Sequence, residues 1–334
     1  MTSPQRLTTA VAACLALVAA AALAPARAAD AVPVRIGIIG SSGQAEVTEA
    51  IKEFGIDKKY GLDVQAVDYA QPGQQYTLFR GHTIDVAAAG NFVDVLRQRK
   101  AGLKLRAFHG YQGYGNQIVV KADSPIKAFT DLKGKKVGEF GPTFLDWLIV
   151  RAAGKKAYGI DLQNDATLVQ GSPPLLNQFL ARGQVDATLQ FISLTMGPLL
   201  RGEQRVVTDL PSLMRAADFD PQSFYVVWIV DEAWSNAHPG ALAKLDAVLD
   251  EAYEKLKTDD AIWTSLAAKV NIHDSKLAAA YRDTERRLDN PPYKASLIAP
   301  TQKLLDALVA ISGEKAVGVT KVDPDAFWFP AKKP

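Results

Sequence analysis

The order in which strand-like and helix-like segments follow one another constrains this chain most. Residues 34–40 (VRIGIIG) form a continuous β-branched run closed by glycine, as a strand buried on both faces requires. A small polar turn, Ser41-Ser42-Gly43-Gln44, comes next, and then a helical pattern over 45–54. A second strand is expected over 61–67, a short helix over 74–79 and a third strand over 84–89. The exit of that strand, Gly90-Asn91, opens a helix running to Arg99, and a fourth strand is expected over 103–109. Strands alternating with helices at this spacing predict right-handed βαβ units and a mostly parallel sheet.

The pattern then restarts. Residues 117–121 are extended, and Asp131-Leu132-Lys133-Gly134 makes a turn before a strand over 136–139. That strand leads through Gly141-Pro142-Thr143 into a helix ending near Gly154. A strand over 167–170, a helix over 175–181, a strand over 185–191 (VDATLQF) and one more at Val206-Val207 complete the unit. Residues 224–230 (FYVVWIV) read as a strand, and the remainder of the chain reads as helix over 239–256, 260–270, 275–288 and 300–311. In the first of these Leu242, Leu245, Val248 and Leu249 recur at helical spacing and form one apolar stripe. The expected fold class is α/β: two such units and a helical tail.

The first residues bear on compartment. Arg6 gives a positive start, 11–24 is an uncharged apolar run, and Ala26-Arg27-Ala28 is a small-x-small cleavage pattern. About 14 apolar residues fall short of the roughly 20 that span a bilayer. Residues 1–28 are therefore expected to be a cleaved export signal. Val11-Ala12-Ala13-Cys14 looks like a lipoprotein box, but most of the apolar core comes after Cys14, which argues against a lipid anchor there. Cys14 is the one cysteine of 334 residues, so the exported chain is expected to rely on packing without disulfides. Of the formal charge of +2, Arg6 and Arg27 leave with the signal. A near-neutral remainder offers no field for nucleic acid or an anionic membrane.

No constellation demands catalysis. His82, His109, His238 and His273 are scattered, without a carboxylate at metal-ligand spacing. There is no G-x-S-x-G elbow, no P-loop and no G-x-G-x-x-G after the first strand. No enzyme activity, metal or cofactor is expected.

At Asp123-Ser124-Pro125-Ile126 and the subsequent DLKGKKVG (131–138) the chain resembles periplasmic sulfonate-, nitrate- and taurine-binding proteins, the solute-capturing components of ABC importers. It is also similar to binders of thiamine-pyrimidine precursors. Supporting stretches are VRIGIIG, RGHTIDVAAAGNFVDVLRQRKAG, LARGQVDATLQ and VVWIVDEAWSNAHPGAL. The resemblance implies a bilobal fold, two doubly wound lobes joined by crossover strands near 117–120 and 223–227. Lobe 1 would hold 33–118 and 223–334, lobe 2 119–222. It further implies a periplasmic, monomeric protein whose partners are a small-molecule ligand and an inner-membrane permease. The cargo it implies is a small organic anion captured by hinge closure; a pyrimidine precursor or other nitrogenous compound, or a sensor as partner, are the alternatives. The related cytosolic fold that makes the thiamine pyrimidine is opposed by the export signal.

In open α/β sheets, ligands sit outside the carboxyl ends of strands. Three such places are readable. Ser41, Ser42, Gly43 and Gln44 offer backbone N–H groups, hydroxyls and an amide, although serine there also serves as a helix cap. Gly90 and Asn91 allow close backbone approach or a cap. Gly141, Thr143 and Phe144 form the third, where Pro142 equally suits helix initiation and stands where the family carries another donor. Tyr111 and Tyr114, in a glycine-spaced stretch (111–115) read as a cleft loop, join Phe191, Tyr225 and Trp228 as flat faces with a polar handle, or as core. Gln190 ends a strand facing the expected cleft, and His109 also ends a strand.

Overall fold

The structure, a computed structural model, describes residues 31–39, 44–70, 73–269 and 272–330. The expected signal, 1–28, and Ser41, Ser42 and Gly43 lie outside the described residues. Two five-stranded sheets organise the chain. The first has the order β2 (Leu62–Asp68), β1 (Val32–Ile38), β3 (Val86–Asn91), β10 (Val226–Asp231), β4 (Leu105–Gln112). The second has the order β7 (Thr167–Gln170), β6 (Lys136–Glu139), β8 (Ala187–Gln190), β5 (Gln117–Lys121), β9 (Gln204–Asp209).

In each sheet one strand runs against the others. β10 is antiparallel to both β3 and β4, and β5 to both β8 and β9, whereas β1–β2, β1–β3, β6–β7 and β6–β8 are parallel. The reversed strand is the one the chain enters on arriving from the other sheet: β5 comes after the link 113–116, β10 after the link 217–225. It starts where its neighbours end. The register shows this directly, since Gln117 pairs with Gln190, and Val226 with Asn91 and Gln112. Both links thus open at the carboxyl ends of the parallel strands.

Seven helices position the cavity and the tail: α1 (Gln44–Glu53), α2 (Phe92–Lys100), α3 (Leu145–Tyr158), α4 (Ile192–Leu200), α5 (Ala241–Thr258), α6 (Ser275–Leu288) and α7 (Ile298–Ser312). The apolar stripe of α5 is buried as expected, with Leu245, Val248 and Leu249 packed with Val34, Ile36, Val86 and Val230. Burying a leucine in this way is worth roughly 1.5–3 kcal/mol. The tail touches both layers. Arg151 on α3 donates to Ser312 Oγ at 2.8 Å and to the Ile311 carbonyl at 3.1 Å, while Arg97 on α2 reaches the Val317 carbonyl at 2.7 Å.

Some expectations are corrected. β4 continues to Gln112, so Tyr111 and Gln112 belong to a strand and not to a loop; Val226 pairing with Gln112 carries the ladder that far. α3 runs past Gly154 to Gly159, whose φ of 71° makes the left-handed stop. Gly154 is there for packing: a Cβ would stand 2.5 Å from Phe129 Cζ. Helix α4 is not foreseen by the sequence pattern, because Gly197-Pro198 reads as a break although Pro198 sits inside the helix. The short helices Leu210–Ala216 and Glu232–Ala237 are likewise unforeseen; each begins on an aspartate cap, Asp209 and Asp231.

Candidate functional site

A cavity of about 710 Å³ opens at the carboxyl ends of both sheets. Its wall takes Ile39 after β1, Tyr69 after β2, Asn91 at the end of β3, and Tyr111 and Gln112 at the end of β4. From the second sheet come Phe144, Leu145 and Asp146 after β6 and Phe191 to Leu194 after β8. The links supply Asn116 and Tyr225, and α6 closes one side with Leu277, Tyr281 and Glu285. A recess of about 370 Å³ shares Asn91, Phe144 and Leu145 and adds Asp94, Arg97, Gly141 and Thr143.

The polar centre of the wall is Asp146, second residue of α3 and 1% exposed. Tyr225 donates its hydroxyl to Asp146 Oδ1 at 2.7 Å, and the Asn116 amide donates to Oδ2. Asn116 Nδ2 also lies 3.2 Å from the Tyr225 oxygen, and its Oδ1 accepts from the Ile192 N–H at 3.4 Å. Both links therefore meet on one carboxyl group of α3, and α4 joins them through Asn116. Burial pushes Asp146 up to about 6, against the pull of its Tyr225 and Asn116 hydrogen bonds. Burial first, then the neighbouring Asp146, pushes the Tyr225 phenol well above its ordinary value, so it remains a donor.

Glu285 is the other acid on the wall. Gln112 Nε2 donates to it at 3.2 Å, and burial pushes it up to about 7. Behind it, Glu46 accepts the Tyr281 hydroxyl, and ligand oxygens of Glu46, Glu285 and Asp289 lie within 4.8 Å of one another. Burial first, then the neighbouring acids, push Glu46 and Asp289 well above the carboxylate range, which favours their neutral forms and disfavours a metal there.

Of the residues singled out in the sequence, Gln44, Asn91, Tyr111, Phe144, Phe191 and Tyr225 reach the main wall, and Gly141 and Thr143 reach the recess. Gln44 Oε1 accepts from the Ile39 N–H at 2.9 Å, and Asn91 caps α2 by accepting from the Asp94 N–H at 2.9 Å. The others stand behind the wall. Tyr114 stacks on Tyr225 at 4.3 Å and donates to the Phe224 carbonyl. Trp228 is fully buried and donates to Tyr253 Oη at 2.9 Å. Gly90 packs on Ile229, and Gln190 is buried with Nε2 on the Pro173 carbonyl at 2.9 Å. His109 turns toward α5, stacked on Tyr253 and 3.2 Å from Asp250. Sequence reasoning missed Asn116, Asp146, Glu285, Tyr69 and Tyr281. An acid in the first turn of the helix after β6 is visible in the sequence, but nothing marks Glu285, which arrives from a helix far along the chain.

The charge of the wall is one-sided. Among the described residues, no lysine, arginine or histidine lines the main cavity. The internal residues outside the description, 40–43, 71–72 and 270–271, contain none either. Two helices that begin at the cavity carry an acid in their first turn, Asp94 in α2 and Asp146 in α3, where it opposes the positive end of the helix; Glu46, in the first turn of α1, is held toward its neutral form by burial. Arg97 in the recess is spent on Asp94 and on the Ala316 and Val317 carbonyls.

Known proteins share this architecture. The chain is 26% identical over 225 residues to candidate binding proteins of Brucella abortus and Brucella melitensis, 67% of this chain and 67% of theirs. By fold it is similar to the periplasmic aliphatic sulphonate binding protein SsuA of Escherichia coli, with a TM-score of 0.73 at 19% identity, covering 90% of this chain and 94% of that one. The alkanesulfonate-binding protein SsuA of Xanthomonas axonopodis pv. citri, bound to MOPS, gives 0.68 at 18% identity, with 90% and 100% covered. These likenesses establish the bilobal periplasmic-binding-protein fold, and the relatives are named as binding proteins, not enzymes. A family model described as NMT1/THI5 like matches residues 52–260, more than half of the sequence, and the chain belongs to that family.

Proposed function

We propose that this protein is the periplasmic solute-binding component of an ABC-type importer, capturing a small organic molecule between its two lobes and presenting it to an inner-membrane permease as a monomer. The observation that carries the reading is the convergence of both links, both sheets and α6 on one cavity. A solute touching strand ends of both sheets is held by more groups when the lobes close, so closure gains affinity that the open form lacks. Tyr111, Tyr225, Phe144 and Phe191 give the wall flat faces suited to an aromatic or otherwise compact body. Among the described residues no helix is long and apolar enough to cross a membrane.

Of the two cargo classes that the resemblance raises, the wall favours the nitrogenous compound over the organic anion. The fold neighbours named above bind sulfonates, and an anion here would meet Asp146 and Glu285 with, among the described residues, no cationic side chain on the wall to answer it. The test is a thermal-shift screen of purified protein against sulfonates, carboxylates and nitrogenous compounds. A ligand at a hundred times its dissociation constant adds about 2.7 kcal/mol of stability. A clear rise with one class is the expected result; no shift with any class overturns solute capture.

A further inference from the structure

We propose that the captured solute is an organic cation whose protonated nitrogen seats on the Asp146 carboxylate; this rests on the solute-capture reading above. Buried charges in proteins are as a rule answered by an opposite charge. Asp161, also buried, has the Arg151 guanidinium on both oxygens at 2.9 and 3.0 Å, and Asp85 has Arg35. Asp146 has two neutral donors and, among the described residues, no ion-pair partner. The missing counter-charge is what the solute brings.

The donors already present prepare the seat. The Tyr225 hydroxyl and the Asn116 amide each occupy one oxygen of Asp146 and fix the plane of the carboxylate. Each carboxylate oxygen accepts more than one hydrogen bond, so both keep capacity for an incoming N–H. Charge-assisted bonds of this kind are the strong ones. Aromatic faces at Tyr111, Tyr225, Phe144 and Phe191 complement a cation through their ring quadrupoles, and Glu285 adds negative potential from the α6 side. An anion would find the reverse: Asp146 in the first turn of α3, and Arg97 already committed to Asp94.

Three probes sharing one body separate charge from shape: benzylammonium, benzyl alcohol and benzylsulfonate, each titrated calorimetrically into wild-type protein, Asp146→Asn and Glu285→Gln. The expected result is binding of benzylammonium in preference to the other two, weakened about tenfold or more by Asp146→Asn, the loss expected for a hydrogen bond to a charged group. Glu285→Gln should weaken it less. If Asp146→Asn does not fold, Tyr225→Phe takes its place, and it should weaken benzylammonium more than benzyl alcohol. Unaltered benzylammonium affinity in the Asp146 or Tyr225 variant, or a larger loss in Glu285→Gln, overturns the seat. Benzylsulfonate binding in place of benzylammonium, or stabilisation by a sulfonate or carboxylate of the wider screen alone, overturns the cation and leaves solute capture standing. No binding by any compound overturns both.

Discussion

Asp146 holds a carboxyl group where water hardly reaches, and its titration should be measurable as stability. Its value in the folded chain, about 6, lies above the ordinary 3.8, so folding takes up a proton between those two values. Stability from this group therefore rises as pH falls from about 6 toward 4, and the penalty of burying the ion is fully present above 6. At 1.36 kcal/mol per pKa unit, a gap of roughly two units amounts to ~3 kcal/mol. Asp246, up to about 6, and Glu285, up to about 7, act in the same sense. Opposing them, Asp63, Asp131, Glu203, Asp218 and Glu251 are held below their ordinary values by hydrogen bonds, and their contributions fade only as pH drops through and below about 4. Urea midpoints should thus rise from pH 7 to pH 5, and Asp146→Asn should flatten that slope. A steady decline over the same range would contradict the assignment. Gly154→Ala gives a second expectation. With Phe129 at 2.5 Å and the Ile160 carbonyl at 2.9 Å from the added carbon, it should cost about 1–3 kcal/mol in denaturant unfolding and leave solute affinity unchanged. At this scale the sequence is half legible. Phe144, Phe191 and Tyr225 flank strand ends, and topology alone delivers them to the wall. Trp228 and Gln190 also lie in or at the end of a strand, but strand residues alternate between faces, and theirs pack into the core.

At the scale of elements, α6 shows what a one-dimensional reading can and cannot give. Its bounds are readable from its amphipathic pattern and match Ser275–Leu288. Its role is not, because Leu277, Tyr281 and Glu285 form a four-residue stripe whose partners, Gln112 and Glu46, are more than a hundred and fifty positions away. Helix α4 escapes for another reason. A Gly-Pro pair punctuates most sequences, but here the proline sits late in a helix whose packing overrides the signal. The joint between β10 and α5 is testable without touching the cavity. Trp228 donates to Tyr253 Oη at 2.9 Å inside the core, so Tyr253→Phe leaves a buried indole N–H without its partner. The expected cost is about 1–3 kcal/mol in unfolding, with probe binding as in wild type. Loss of binding in that variant would mean that β10, or Tyr111 whose carbonyl accepts the same hydroxyl at 3.3 Å, is positioned by these bonds and not by the strand ladder.

Over the whole molecule, the restart of the strand pattern at Gln117 and the late run over 224–230 announce two sheets, and they are present. The lie of the tail has no such signal. α7 packs on α3 beside the second sheet, and residues 316–317 are held by Arg97 beside the first. If the lobes close on a solute, small-angle scattering should record a smaller radius of gyration on adding whichever probe binds, and an unchanged radius would argue for a rigid container. Because each sheet admits its reversed strand at the mouth, the two polypeptide links emerge side by side with Asn116 and Tyr225 on them, and those residues grip the same carboxyl group. If the lobes do close, fulcrum and detector would be one piece of machinery: a guest on the proposed Asp146 seat would press on both links at once, with no relay through the interior.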